Sequence, residues 1–424
     1  MIDVRVPGDK SLTHRALLLA ALADGTSRLG GLLTAEDAQS TARVLRALGL
    51  TVPTILTGDV VRIDGRGLRG LAAPTGPLDC GNSGTTARLL LGILAAQPLE
   101  AALDGDASLR ARPMRRVTAP LTRMGGCFVE LGERDRLPLR VLGQALRGGE
   151  FEIPHASAQV KSAILLAGLC AGVRVRIREP ARSRDHTERL LARLGATVRH
   201  AADGTIELEP VERLAPLEID VPGDVSSAAF LVALAVLGGS ADDMRIRHVG
   251  VNPTRTGMLD VLARMGAKVE IVDRADAGGE DVADLVCRQA QLRATEIRAA
   301  EVPALIDELP ALAILAARAD GETRVSGAAE LRVKESDRIT AIVANLRSLG
   351  VEAAELEDGF VVRGSDAPLA GRVQAGGDHR IAMAFGVLAA LPGNDVSIDD
   401  RGVADISFPG FWDLLRRLSR VARR

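Results

Sequence analysis

Two kinds of helical stretch alternate along this chain: one carries apolar residues on a single face, the other is apolar on nearly every face. The one-faced stretches are arginine-rich, stop at a small residue and run into an extended segment. This phrase recurs about every 70 to 85 residues, the mark of an internal repeat. The copies are LRALGLTV around Gly49, LTRMGGCF around Gly125, LARLGATV around Gly195, LARMGAKV around Gly266 and LRSLGVEA around Gly350, and a sixth helix at 411–420 follows. Each glycine stands where a left-handed C-cap is wanted, and the apolar or β-branched residues after it restart a strand.

Between these copies lies a second phrase, a polar cluster followed by a helix with no polar face. It begins near Lys10, Asn82, Ser157, Ser226, Asp307 and Asp378. A helix hydrophobic all round has to be enclosed by other elements, so each repeat is expected to place one helix inside and one outside a small sheet. The pattern predicts an α/β fold of six repeats, each with two helices and a small sheet.

The chain has 424 residues, which makes two domains the natural expectation. Six repeats divide into two groups of three. Nearly matching strings, VPGDKS at 6–11 and VPGDVSS at 221–227, read as two crossings of one hinge. One domain is therefore expected at residues 10–222 and the other at 1–9 plus 223–424. The hinge then falls near 9–11 and 221–225, with the active site in the cleft between the domains.

Net charge is −2 and no basic tail is present, which argues against a nucleic-acid surface and for small-molecule partners. Residues 1–10 lack the long apolar core of a secretory signal, and the apolar runs stop short of the roughly 20 residues a membrane span needs. A cytoplasmic protein, and by default a monomer, is expected. Cys80, Cys127, Cys170 and Cys287 lack metal-ligand spacing and read as structural thiols. Among 53 basic residues only Lys10, Lys161, Lys268 and Lys334 are lysine. Lysine gives up a proton where arginine does not, so a retained lysine is a candidate for proton transfer.

Helix N-termini offer free N–H groups and a positive dipole end, so six polar clusters opening six buried helices suit anions. Gly8-Asp9-Lys10-Ser11 fails the P-loop spacing because Asp9 precedes the lysine. Ser11 is placed to cap the helix that follows, but His14 and Arg15 one turn on argue against a purely capping role. Gly81 and Gly84 allow a ligand close to the backbone, and Asn82, Ser83 and Thr85 offer hydrogen bonds. Arg112, before Pro113, suits a forked grip on a carboxylate or phosphate. Ser157, Gln159 and Lys161, with Ser183, Arg184, Asp185 and His186, supply groups for one phosphate monoester. Asp307 and Glu308 precede a wholly apolar helix, where a carboxylate that is not merely a cap is a candidate base. The string 331–338 sets Lys334 beside Glu335 and Arg338 one turn later, and Gly377-Asp378-His379-Arg380 adds another cationic helix start.

In this order the strings PGDKSLTHR (7–15), GNSGTTARL (81–89), RPM (112–114), SAQVKS (157–162), SRDHTE (183–188), PGDVSSAAF (222–230), LRVKESDRI (331–339) and GDHR (377–380) resemble the enolpyruvyl transferase superfamily, and within it the EPSP synthase family, from end to end. The resemblance implies two domains, each an inside-out α/β barrel of three βαβαββ repeats. It also implies transfer of the enolpyruvyl group of phosphoenolpyruvate to the 5-hydroxyl of shikimate 3-phosphate through a tetrahedral ketal. No metal or organic cofactor is implied.

By the same resemblance, Lys10, Gly84, Thr85, Arg112, Gln159, Arg338 and Arg380 hold phosphoenolpyruvate. Lys10, Ser11, Arg15, Ser157, Ala158, Gln159, Arg184, Asp307 and Lys334 hold shikimate 3-phosphate. Asp307, Glu335 and Lys10 move protons. Two departures stand out: Ala404-Asp405-Ile406-Ser407 precede Phe408-Pro409, where some members carry a lysine, and the chain has no tyrosine. SAQVKS resembles the type that includes glyphosate-tolerant members, while Gly84 keeps the small residue associated with glyphosate sensitivity. The UDP-N-acetylglucosamine branch carries a reactive cysteine five residues before the arginine of its RP motif, where this chain has Ala107. A related repeat fold occurs in RNA 3'-terminal phosphate cyclases, against which the near-neutral charge and the missing nucleotide signatures argue.

Overall fold

A computed structural model of the chain describes residues 1–153 and 156–419. Six helices are buried almost throughout: Lys10–Leu22, Gly84–Ala95, Ala158–Ala171, Val225–Val236, Leu309–Ala316 and His379–Ala389. Six others bury one face: Glu36–Ala47, Arg115–Arg123, His186–Arg193, Gly257–Met265, Arg338–Ser348 and Phe411–Leu418. The last was expected to reach 420, which lies outside the described residues. Each fully buried leucine of an inner helix contributes about 2 kcal/mol of transfer free energy.

Gly49, Gly125, Gly195, Gly266 and Gly350 all have positive φ, from +84° to +101°, as the helix-to-strand joints require. Gly195 and Gly350 meet no neighbouring atom where a Cβ would stand, so backbone conformation alone calls for glycine there.

The chain splits into two compact units. One comprises Gly8–Val221 with Asp276–Glu280; the other comprises Met1–Pro7, Pro222–Ala275 and what is described from Asp281 onward. Each has its own apolar core and three sheets. In a complete repeat the first two strands are parallel, the inner helix connects them, and an antiparallel hairpin follows the outer helix. The repeat from Leu78–Asp79 to Leu139–Leu142 shows this: Leu78 pairs with Leu103 in parallel, and the Cys127–Glu130 and Leu139–Leu142 hairpin extends the sheet.

Two repeats take their first strand from far along the chain. Glu218–Asp220 pairs in parallel with Thr26–Gly30, and Ile2–Val4 pairs in parallel with Met244–Gly250. The matching strings at 6–11 and 221–227 are thus equivalent strand-to-helix turns. Two sheets are curtailed: the one containing Thr26–Gly30 has three strands, and Ala370–Val373 with Asp395–Ile398 makes two.

Cys80, Cys170 and Cys287 are buried free thiols, and burial pushes those of Cys170 and Cys287 up to about 12. No helix among the described residues is long and apolar enough to cross a membrane.

Candidate active site

The singled-out residues gather at or near helix starts, mostly those of the inner helices, a group in each unit. In the unit 8–221, Asp9 caps the first inner helix by accepting from the Leu12 N–H at 2.8 Å, so the capping role falls to Asp9 and not to Ser11. Lys10 is ion-paired with the buried carboxylate of Asp37. One turn on, Arg15 is buried: its Nε donates to Thr187 Oγ1 at 2.7 Å, Nη2 to Ser162 Oγ at 3.0 Å and Nη1 to the Ser11 carbonyl at 2.9 Å. Burial, the largest influence, brings its guanidinium down to about 10, opposed by Glu188 and Asp9. It therefore stays charged at neutral pH.

Ser83 caps the second inner helix, accepting from the Thr86 N–H at 3.2 Å. A Cβ on Gly84 would lie 2.8 Å from Arg88 Nη1 and 3.4 Å from Arg112 Nη1, so glycine lets two guanidinium groups approach this helix start. Arg112 Nη2 donates to Asn82 Oδ1 at 2.8 Å and to Ser108 Oγ at 3.1 Å. Gln159 is fixed at both ends of its amide, accepting from Arg88 Nη1 at 2.8 Å and donating to Thr85 Oγ1 at 3.0 Å. Arg88 was not singled out in the sequence. Its signal was there, an arginine inside an otherwise apolar, enclosed helix. Ser157 holds the N-cap position of the third inner helix without a side-chain capping bond, and Ala158 is that helix's first residue.

Lys161 corrects two expectations, a phosphate contact and a proton-transfer role. It is 1% exposed, and its ammonium bonds Glu188 Oε1 at 2.7 Å, Glu179 Oε1 at 3.1 Å and the Ser183 carbonyl at 3.3 Å. Three acceptors around one point suit a tetrahedral ammonium and not a planar fork, which explains a lysine in an arginine-rich chain. Two members of the expected phosphate set are likewise engaged: Ser183 Oγ donates to Glu179 Oε2 at 2.6 Å, and His186 Nδ1 lies 2.8 Å from Glu280 Oε1, both residues buried. Arg184, between them, is half-buried.

In the other unit Arg338 is the centre. It is 1% exposed and reaches three carboxylates: Asp378 at 2.7 Å, Glu335 at 2.6 Å and Asp307 at 3.5 Å. Burial pulls its pKa down, but Asp378, Glu335 and Asp307 outweigh that and raise it. The Asp378 carboxyl is held below its ordinary range, because Arg338 and its other partners overcome the opposing effect of burial. Asp378 also caps the last inner helix, accepting from the Arg380 N–H at 2.9 Å. Arg380 lies 3.8 Å from the Asp307 carboxylate and donates to its carbonyl at 2.8 Å. Lys334 pairs with Glu330 at 3.3 Å, so the adjacent Lys334 and Glu335 turn to different partners. Behind Asp307, Glu308 is buried and accepts from Ser226, whose hydroxyl also accepts from Arg255 Nη2 at 2.7 Å. No local signal announces this support, because its members lie 29 and 82 residues from Ser226.

A model of the family "EPSP synthase (3-phosphoshikimate 1-carboxyvinyltransferase)" matches residues 2–415. A 3-phosphoshikimate 1-carboxyvinyltransferase of Synechococcus sp. (strain RCC307) is 49% identical over 427 residues, covering 99% of this chain and 97% of the relative. One from Alkalilimnicola ehrlichii is 50% identical over 413 residues, covering 97% of this chain and 92% of the relative. The structure is similar to that of EPSP synthase from Acinetobacter baumannii, with a TM-score of 0.88 at 40% identity, covering 99% of this chain and 95% of that one. The enolpyruvyl transferase NikO from Streptomyces tendae shares the fold, with a TM-score of 0.77 at 18% identity and coverage of 99% and 94%.

Proposed function

Because the chain belongs to the EPSP synthase (3-phosphoshikimate 1-carboxyvinyltransferase) family, we propose that it transfers the enolpyruvyl group of phosphoenolpyruvate to the 5-hydroxyl of shikimate 3-phosphate and releases inorganic phosphate. The two groups of site residues serve one reaction. The observation that carries this reading is Asp307, a mostly buried carboxylate set between Arg338 and Arg380 at 3.5 and 3.8 Å. A base is thereby held beside cations suited to a trianionic co-substrate.

In the proposed chemistry Asp307 takes the 5-hydroxyl proton as that oxygen bonds to the central carbon of phosphoenolpyruvate. The Lys10 ammonium gives the proton that turns the methylene carbon into a methyl group. In the second step the carbon–phosphate oxygen bond breaks, phosphate leaves, and Glu335 takes a proton back from the methyl group to restore the double bond. Lys10, Gly84, Thr85, Arg112, Gln159, Arg338 and Arg380 hold phosphoenolpyruvate. Lys10, Ser11, Arg15, Ser157, the Ala158 backbone, Gln159, Arg184, Asp307 and Lys334 hold shikimate 3-phosphate. The enzyme works as a cytoplasmic monomer, the monomer being checked by sizing of the purified protein.

The test is phosphate release from phosphoenolpyruvate with shikimate 3-phosphate or UDP-N-acetylglucosamine offered in parallel. Release with the first acceptor alone is expected. Release only with the nucleotide sugar, or with neither, overturns the reading.

A further inference from the structure

Arg15 is a buried guanidinium with no carboxylate in ion-pairing contact among the described residues. Three of its five N–H groups go to neutral oxygens, those of Thr187, Ser162 and the Ser11 carbonyl, at 2.7 to 3.0 Å. A cation desolvated in this way, with two donors left, is complete only when an anion joins it. Its aim depends on two hydroxyls that also bond each other, Ser162 Oγ to Thr187 Oγ1 at 2.7 Å. They stand on different helices, Ala158–Ala171 and His186–Arg193. The next rung is the Lys161–Glu188 ion pair at 2.7 Å, formed by the residue before Ser162 and the residue after Thr187. The staple sets the gap between the helices, and the gap sets the hydroxyl pair.

Resting on the functional reading above, we propose that Thr187 and Ser162 are positioning residues: with the Lys161–Glu188 staple behind them, they hold Arg15 in the orientation that receives shikimate 3-phosphate. Neither touches the substrate; they act through the guanidinium. A hydrogen bond to a charged group is worth enough that losing Thr187 Oγ1 should weaken shikimate 3-phosphate about tenfold. Phosphoenolpyruvate and the chemical step are spared.

The test compares the parent with Thr187→Val, Ser162→Ala and Thr187→Ser. Shikimate 3-phosphate binding is followed by calorimetry, and KM for each substrate and kcat by phosphate release. The expected result is a rise of about tenfold in Kd and KM for shikimate 3-phosphate in Thr187→Val, a smaller rise in Ser162→Ala, kcat and the phosphoenolpyruvate KM within about twofold of the parent, and recovery in Thr187→Ser. Unchanged shikimate 3-phosphate binding in Thr187→Val overturns the proposal. So does equal loss for both substrates with a lowered melting temperature, the mark of a merely structural role. A parent that neither binds nor turns over shikimate 3-phosphate instead overturns the functional reading, and the positioning role with it.

Discussion

At the scale of single residues, charges are held by several partners at once. Arg338 shares three carboxylates, so removing one leaves the guanidinium engaged. Asp307→Asn should therefore keep the fold and expose the chemical role. A kcat lower by about a hundredfold or more is expected in the phosphate-release assay, with a melting temperature within a few degrees of the parent; an unchanged kcat would remove Asp307 from proton transfer.

His14 gives a second prediction. Its Nδ1 lies 2.7 Å from Thr41 Oγ1, and burial lowers its pKa from 6.5 to about 3, with Asp37 opposing. Between those values the unfolded chain binds a proton that the folded chain refuses, so stability declines as pH falls from 6.5 toward 3. His14→Asn keeps a polar atom near Thr41 and cannot titrate. Urea unfolding at pH 7 and pH 5 should show a smaller acid loss in this variant than in the parent. An equal loss would assign the acid sensitivity to other groups.

Among the elements, the recurring unit is an outer helix that ends on a left-handed glycine and turns into a strand. At Gly350, φ is +84° and nothing stands within 4 Å of where a Cβ would lie, so substitution there reads backbone conformation free of steric clash. Gly350→Ala is expected to lower unfolding free energy by about 1 kcal/mol, and Gly350→Asn by less, because asparagine tolerates the left-handed region. Shifts in urea midpoint at constant slope would measure both. The inner helices show the complementary feature, starts rich in hydroxyls, carboxylates and guanidiniums on helices whose bodies are wholly apolar. Their apolar bodies fix them in the core, and the polar starts are where ligand groups are available.

For the whole molecule, connectivity has an energetic consequence. Ile2–Val4 is an edge strand of the sheet whose next strand is Met244–Gly250, and Val4 and Val6 belong to that unit's core. Removal of residues 1–4 should therefore destabilise the unit formed mainly by the second half of the chain. The expected signature is a lower urea midpoint together with faster proteolysis beyond residue 222, while Gly8–Val221 keeps its resistance. Equal loss across the chain would refute this division of the fold.

The repeat was legible in the sequence because its signals are local: a helical face, a C-cap glycine, a wholly apolar stretch. The motifs also marked most of the site, since Lys10, Gly84, Arg112, Gln159, Asp307, Glu335, Arg338 and Arg380 sit at or beside starts of helices that periodicity could find. Which charges meet was not legible. Nothing in the string predicts that Lys161 spends its ammonium on Glu179 and Glu188, that Arg338 gathers three carboxylates, or that Thr187 and Ser162 face Arg15 across 172 and 147 residues. Helix and turn formation depend on neighbours a few positions away, so the sequence alone determined them. Ion pairing and hydroxyl contacts depend on distances of a few ångströms between remote segments, and only the packing of the tertiary structure decided those.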